Sequence, residues 1–186
     1  MPRSSTLPGW RSRRAWSTRS HIGGGGQRAD RSGPIQPEVR VLDSINVRDA
    51  GFKRALAGGI TTVNLMSGSG HLMSGQTIYV KLREGNSIES IAYSRDDGRV
   101  DGGMKMANGT NPRGEAPFPG TRAKSAALIR QKYVAAREYM EKVERADGDP
   151  DEMPGRDLGM EALVEVLRGQ VAASRSRRRA PARTTS

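Results

Sequence analysis

The chain has 186 residues, of which 34% are hydrophobic and only 4% aromatic, so a core is possible in part of it. This length suits one ordinary domain but falls short of the roughly 250 residues of a complete (β/α)₈ barrel. The sequence contains no cysteine, which excludes disulfides and cysteine-based sites. Because it also lacks a long apolar run and the apolar centre of a secretory signal, it predicts a cytoplasmic protein without membrane spans.

The formal net charge of +11 is concentrated at the two ends of the chain. Residues 1–31 hold seven Arg and one Asp, and residues 168–186 hold six Arg and no acidic residue, whereas the part between them is nearly neutral. Such tails can bind phosphate backbones by counterion release. Both tails lack lysine, however, and Arg-, Ser- and Ala-rich segments also arise when a GC-rich gene is translated out of frame. Nucleic acid is therefore the less favoured partner.

Local signals in chain order begin with a tail, residues 1–20, that is rich in Pro, Ser and Arg and is predicted to be disordered. Asp49 can cap a short helix over Gly51–Ala57, which Gly58-Gly59 would end. The β-branched run Ile60–Met66 is typical of a buried strand. A helix followed by two glycines and a buried strand favours an α/β protein with parallel strands.

The middle of the chain predicts loops around one further strand. Ser67–Gly75 is rich in Gly and Ser and contains His71, which such a loop predicts to be a surface residue. Apolar residues alternate over Thr77–Leu82, which indicates a half-exposed strand. Gly98–Pro119 contains five Gly and three Pro and is predicted to be a loop.

Two helices follow this loop. Thr121 is a suitable cap for a long helix to about Ala146, whose apolar stripe consists of Ile129, Tyr133, Ala136, Met140 and Val143. Asp157 can cap a second helix that carries Met160, Leu163, Val164 and Leu167 in phase. From Val171 onward the periodicity disappears, so residues 171–186 are predicted to form a second disordered basic tail.

Metal and nucleotide sites have weak local support. The chain has two histidines, His21 and His71, whereas a catalytic zinc normally needs three protein ligands and an open position for water. Neither Gly23–Gly26 nor Gly68–Gly70 has the strand, Lys-Ser/Thr and helix context of a phosphate-binding loop. No cofactor-binding residues are therefore predicted from spacing alone.

Three motifs nevertheless resemble the amidohydrolase superfamily. Ala57–Val63 reads AGGITTV, which is similar to the second barrel strand of that superfamily and its approach. Ser67–Gln76 and Met104–Pro112 resemble the PGSGxxxGGQ and KMAxGxNP elements of its imidazolonepropionase-like subgroup. In many members Glu precedes the Asn-Pro pair, where this chain has Thr110. The resemblance extends from about His21 to Gln170.

The resemblance implies a barrel that holds one or two divalent metals, most often zinc, at the carboxyl ends of its strands. A metal-bound hydroxide would attack the C–N bond of a small amide or cyclic amide. The family's first two ligands form a His-x-His pair, and a bridging carboxylated Lys or Glu, two further His and a late Asp complete the set. His21 matches the second of them, but Arg19 replaces the first, and a guanidinium cannot ligate a cation. The later ligands, on a His-rich strand after Gln170 and on a late Asp, are missing.

The sequence therefore predicts an α/β protein, an incomplete TIM-type (β/α) barrel fragment over 21–170, with disordered basic tails over 1–20 and 171–186. A one-base shift of codons for Leu-Val-Asp-Thr-His can yield Trp-Ser-Thr-Arg, so both tails are interpreted as translated out of frame. The expected protein is an amidohydrolase-like hydrolase that is inactive alone, with His21 as its remaining metal ligand. Two alternatives stay open: a basic nucleic-acid-binding protein, and a subunit completed by an oligomer or by another chain.

Overall fold

A computed structural model describes residue 30, residues 32–95 and residues 98–176. The described part is a mixed α/β structure with a 3₁₀ helix at Val41–Ser44. Its α-helices are α1 (Ala50–Ala57), α2 (Ile88–Ile91), α3 (Arg122–Ala146) and α4 (Leu158–Leu167). Its strands are β1 (Thr62–Leu65), β2 (Met73–Gln76), β3 (Ile78–Lys81), β4 (Gly103–Ala107) and β5 (Ala172–Ser176). None of the described helices combines the length and apolarity needed to cross a membrane.

The strands form two small sheets. Strands β1 and β3 pair antiparallel, while the second sheet has the order β2-β4-β5, with β2 antiparallel and β5 parallel to β4. Over the described residues the strands do not close into a barrel. The expectation of parallel strands is therefore met only between β4 and β5, which are connected through α3 and α4.

The strands β1 and β3 pair antiparallel and bury a shared apolar face. Their antiparallel register sets Val63 opposite Val80 and Leu65 opposite Ile78, and all four side chains are at most 2% exposed. Directly opposed apolar residues are the main stabilising contacts of such a pair. The helix α1 packs against this face through Phe52.

The first core therefore combines α1, β1 and β3, and its local signals were predicted. The carboxylate of Asp49 accepts a hydrogen bond from the Gly51 backbone N–H at 2.6 Å, which confirms it as the cap of α1. The predicted strands are also confirmed, with the narrower bounds Thr62–Leu65 and Ile78–Lys81.

The second core packs the apolar faces of α3 and α4 against one face of the β2-β4-β5 sheet. Its fully buried centre includes Met73, Met104 and Leu163. Both predicted helix caps are confirmed. Thr121 Oγ1 accepts from the Lys124 N–H at 3.2 Å, and one carboxylate oxygen of Asp157 accepts from two backbone N–H groups of the first turn of α4.

Three segments predicted to lack regular structure contain strands. The glycine-rich loops include β2 and β4, because their glycines permit close backbone approach. A Cβ at Gly102 would overlap the carbonyl oxygen of Thr77, and a Cβ at Gly75 would overlap that of Val39. The disordered tail predicted from residue 171 is likewise wrong for Ala172–Ser176, which pair with β4 along its whole length. Tail residues 1–20 and 177–186 lie outside the described residues.

Candidate functional site

The loops that follow the carboxyl ends of β1 and β4 meet in the folded chain. The side-chain amide of Asn111, in the loop after β4, donates a hydrogen bond to Ser69 Oγ, in the loop after β1, at 2.7 Å. These loops carry two of the motifs singled out in the sequence. Ligand and catalytic groups of α/β proteins concentrate beyond the carboxyl ends of strands. The contact therefore marks the candidate site.

Hydrogen bonds from two serine side chains fix the conformation of the loop after β1. Ser67 Oγ donates to the carbonyl oxygen of Ser74 at 2.9 Å, and Ser74 Oγ donates to the carbonyl oxygen of Gly68 at 3.0 Å. Both serines are buried. Because a buried hydroxyl needs a partner, these two bonds determine how the loop turns back into β2. The small residues of this motif thus shape a rigid loop next to the candidate site.

His71 is buried, so the prediction of a surface position is wrong. Its side chain is 3% exposed, and its ring lies edge-on to the ring of Phe118, with centroids 5.1 Å apart and planes at 70°. Phe118 belongs to the loop after β4, some 47 positions further along the chain, so no local signal in the sequence indicated this contact. The aromatic contact is a second link between the two loops.

An exposed carboxylate beside this region has a perturbed acidity. The pKa of Asp30 is lowered, chiefly because its carboxylate accepts a hydrogen bond from the Ser32 backbone N–H, with a further contribution from the Ser32 side chain. Asp30 is fully exposed, so this shift says little about stability.

Two buried polar residues on the strands escaped the sequence reasoning. Lys105 is 3% exposed and lies between Met104 and Met106, which pack on the α3–α4 side, so alternation puts Lys105 on the other face of β4. Asn64 is 6% exposed and alternates in the same way between the core residues Val63 and Leu65 of β1. Within the described part of the chain Asn64 Oδ1 accepts no hydrogen bond. The sequence signal that could have identified Lys105 and Asn64 is a polar residue within a short apolar run.

The residues present do not fit the metal centre implied by the resemblance. His21 lies outside the described residues, and the described ones contain no group of three or more His, Cys, Asp or Glu side chains arranged to hold a metal. His71 packs against Phe118, and the carboxylate of Asp101 is bound by Arg95 at 2.9 Å. A catalytic zinc needs three protein ligands, so the described portion cannot supply the site by itself.

The described residues form a mixed α/β structure in which the loops after β1 and β4 are linked. The chain is similar to the crystal structure of an amidohydrolase from Thermotoga maritima MSB8, with 33% sequence identity and a TM-score of 0.68. The match covers 80% of this chain but only 38% of that one, so the chain spans well under half the length of the solved amidohydrolase. No protein-family model and no curated protein matches the chain. The likeness supports an amidohydrolase-like fold; the imidazolonepropionase-like subgroup stays a prediction.

Proposed function

We propose that this chain is a hydrolase module of the amidohydrolase kind, and that its reaction is cleavage of a non-peptide C–N bond in a small amide or cyclic amide. The observation that carries the proposal is the likeness to the Thermotoga amidohydrolase over 80% of the chain. The contact between Ser69 and Asn111 adds support, because it joins two loops whose sequences resemble imidazolonepropionase-like motifs.

We further propose that the module needs groups beyond the described residues to act. In the intact family the metal supplies an activated water; here His21 would be one ligand among at least three. The five strands carry no His, Cys, Asp or Glu, and no three such side chains of the described residues are arranged to hold a metal, so the further ligands would come from outside the described residues. A frame-restored version of the gene and a complementing chain are the two possible sources.

The test is a hydrolysis assay on two proteins. One is the chain as it stands, and the other is encoded by a gene in which the frame is restored ahead of Ser20 and after Gln170. Both are given zinc and a panel of small amides, cyclic amides and ureides, and ring opening or amine release is measured. We expect turnover only by the frame-restored protein. Absence of turnover by that protein across the panel would contradict the proposed reaction, and turnover by the original chain would contradict the need for further groups.

The alternative, nucleic-acid binding through the Arg-rich ends, is favoured by the charge distribution alone. It predicts that affinity for a DNA duplex falls about a thousand-fold or more between 50 and 200 mM salt, as for proteins with six or more phosphate contacts. It also predicts that deleting residues 1–20 and 177–186 abolishes binding, since these segments hold nine arginines. Replacing those arginines by lysine is the matched control, because it retains the charge. Weak, salt-insensitive binding would exclude this function.

A further inference from the structure

Two buried polar atoms beside the candidate site have no hydrogen-bond partner within the part of the chain that the structure describes. They are Asn64 Oδ1 on β1 and Arg113 Nε in the loop after β4. Asn64 lies three residues before Ser67 of the loop after β1. Arg113 lies two residues after Asn111, whose side chain binds Ser69. Buried polar atoms in native proteins are almost always hydrogen-bonded, so two exceptions at the linked loops point to a ligand.

Asn64 is the more tightly enclosed of these two residues. It is 6% exposed, whereas Arg113 is half-buried. Val63 and Leu65 on either side belong to the core with α1, so alternation puts Asn64 on the opposite face of β1. The register sets the half-buried Tyr79 of β3 directly opposite Asn64, so the two side chains share that face. The face therefore offers an amide group next to an aromatic ring.

An asparagine side chain has a carbonyl oxygen that accepts hydrogen bonds and an NH₂ group that donates them. A cyclic amide presents its N–H and its C=O on the same side, so one asparagine can pair with both groups. In an open-chain secondary amide, which is almost always trans, the two groups point in opposite directions. The ring of Tyr79 would cover one side of such a flat ligand. The unpaired acceptor of Asn64 therefore matches the N–H group of a small cyclic amide.

We infer that Asn64 is a binding residue of this protein, which recognises the N–H group of a small cyclic amide through its Oδ1. The inference rests on the proposed function for the class of ligand, and it adds the residue that distinguishes a free N–H from an alkylated nitrogen. A buried acceptor without a donor lowers the stability of the ligand-free protein, and binding of an N–H group recovers that loss. An apolar residue of the same branched shape should therefore weaken binding without destabilising the fold.

The binding test uses the purified full chain and two lactams of nearly the same shape. Pyrrolidinone has a free N–H, and N-methylpyrrolidinone has none. Their dissociation constants are measured by an NMR titration that follows the side-chain amide of Asn64 and the backbone of β1. We expect pyrrolidinone to bind at least about ten-fold more tightly, and Asn64→Leu to remove that difference. Equal affinity of the parent for both lactams, a difference that survives in Asn64→Leu, or no binding of either lactam would overturn the inference.

A stability measurement separates a binding role of Asn64 from a structural one. The melting temperature of Asn64→Leu should lie within about 1 °C of the parent value or above it, because the substitution removes an unpaired acceptor. The control Thr77→Val removes a buried Oγ1 that accepts from the Gly103 N–H at 2.9 Å, and it should lower the melting temperature by about 3 °C or more. A comparable fall in Asn64→Leu would show that the amide supports the fold and would overturn the inference. Neither measurement requires turnover, so failure of the hydrolysis assay on the frame-restored protein would contradict the proposed function alone.

Discussion

Replacing Gly102 by alanine tests whether the segment predicted to be a loop really lies against a strand. The Cβ of alanine would overlap the carbonyl oxygen of Thr77 and lie 2.8 Å from its carbonyl carbon, whereas ordinary contacts begin at 3.4 Å. Relief requires the start of β4 to move away from Thr77. That movement weakens two hydrogen bonds, from Thr77 N–H to the Gly103 carbonyl at 2.7 Å and from Gly103 N–H to Thr77 Oγ1 at 2.9 Å.

Each of these hydrogen bonds contributes about 1 kcal/mol net, and the displaced strand adds strain, so we expect Gly102→Ala to lower the free energy of unfolding by about 2–4 kcal/mol. For a protein of this size that corresponds to a fall in melting temperature of roughly 4–16 °C. Urea unfolding followed by far-ultraviolet circular dichroism measures the loss. The control is Gly109→Ala, where an added Cβ meets no heavy atom within 4 Å. Equal stability of the two variants would refute the packing of β4 against Thr77.

Three further predictions concern the helices and one carboxylate. Leu163→Ala removes a fully buried side chain (0% exposed) that packs between α4 and the sheet, and it should lower the free energy of unfolding in urea by about 3–5 kcal/mol. The control is Leu158→Ala, at a 61% exposed position of the same helix, which should lower it by less than about 0.5 kcal/mol. Asp157→Ala removes the acceptor for two backbone N–H groups and should lower the unfolding free energy by about 1–2 kcal/mol; an unchanged value would exclude the cap. The pKa of Asp30 measured by NMR should lie below the ordinary value of 3.8, because its carboxylate accepts a hydrogen bond from Ser32. A carboxylate whose pKa is lower in the folded state stabilises that state at pH values above its unfolded pKa. Any such stabilisation by Asp30 is therefore lost as the pH falls through its pKa in the folded state. A pKa of Asp30 at or above 3.8 would contradict that hydrogen bond.

The helices α1, α3 and α4 were predictable because the interactions that define them are local, whereas the single turn α2 and the 3₁₀ helix were not predicted. Asp49, Thr121 and Asp157 each precede a helix by one residue and bind its first free N–H groups, so the signal and its effect are close in sequence. The strands β1 and β3 were predictable for a similar reason, since their buried residues alternate or cluster within six or seven positions. Neither result depends on where the rest of the chain lies.

The candidate site was only partly predictable. The motifs after β1 and after β4 were identified, and their resemblance to amidohydrolase sequences agrees with the structural likeness to the Thermotoga amidohydrolase. That Ser69 would meet Asn111, and that His71 would be buried against Phe118, could not be read from the sequence, because each pair is separated by more than 40 positions. The buried position of Lys105 likewise depends on the strands that flank β4.

The sequence by itself determined the capped starts of α1, α3 and α4, the two β-branched or alternating strands, the neutral body between basic ends, and the family that the motifs resemble. All of these follow from neighbours along the chain. Tertiary structure alone decided that β1 pairs antiparallel with β3, that the glycine-rich segments contain β2 and β4, and that Ala172–Ser176 forms a strand without periodicity. The physical reason is that a strand exists through hydrogen bonds to a distant partner, and the backbone of Ala-Ala-Ser-Arg-Ser can make those bonds whatever its side chains are.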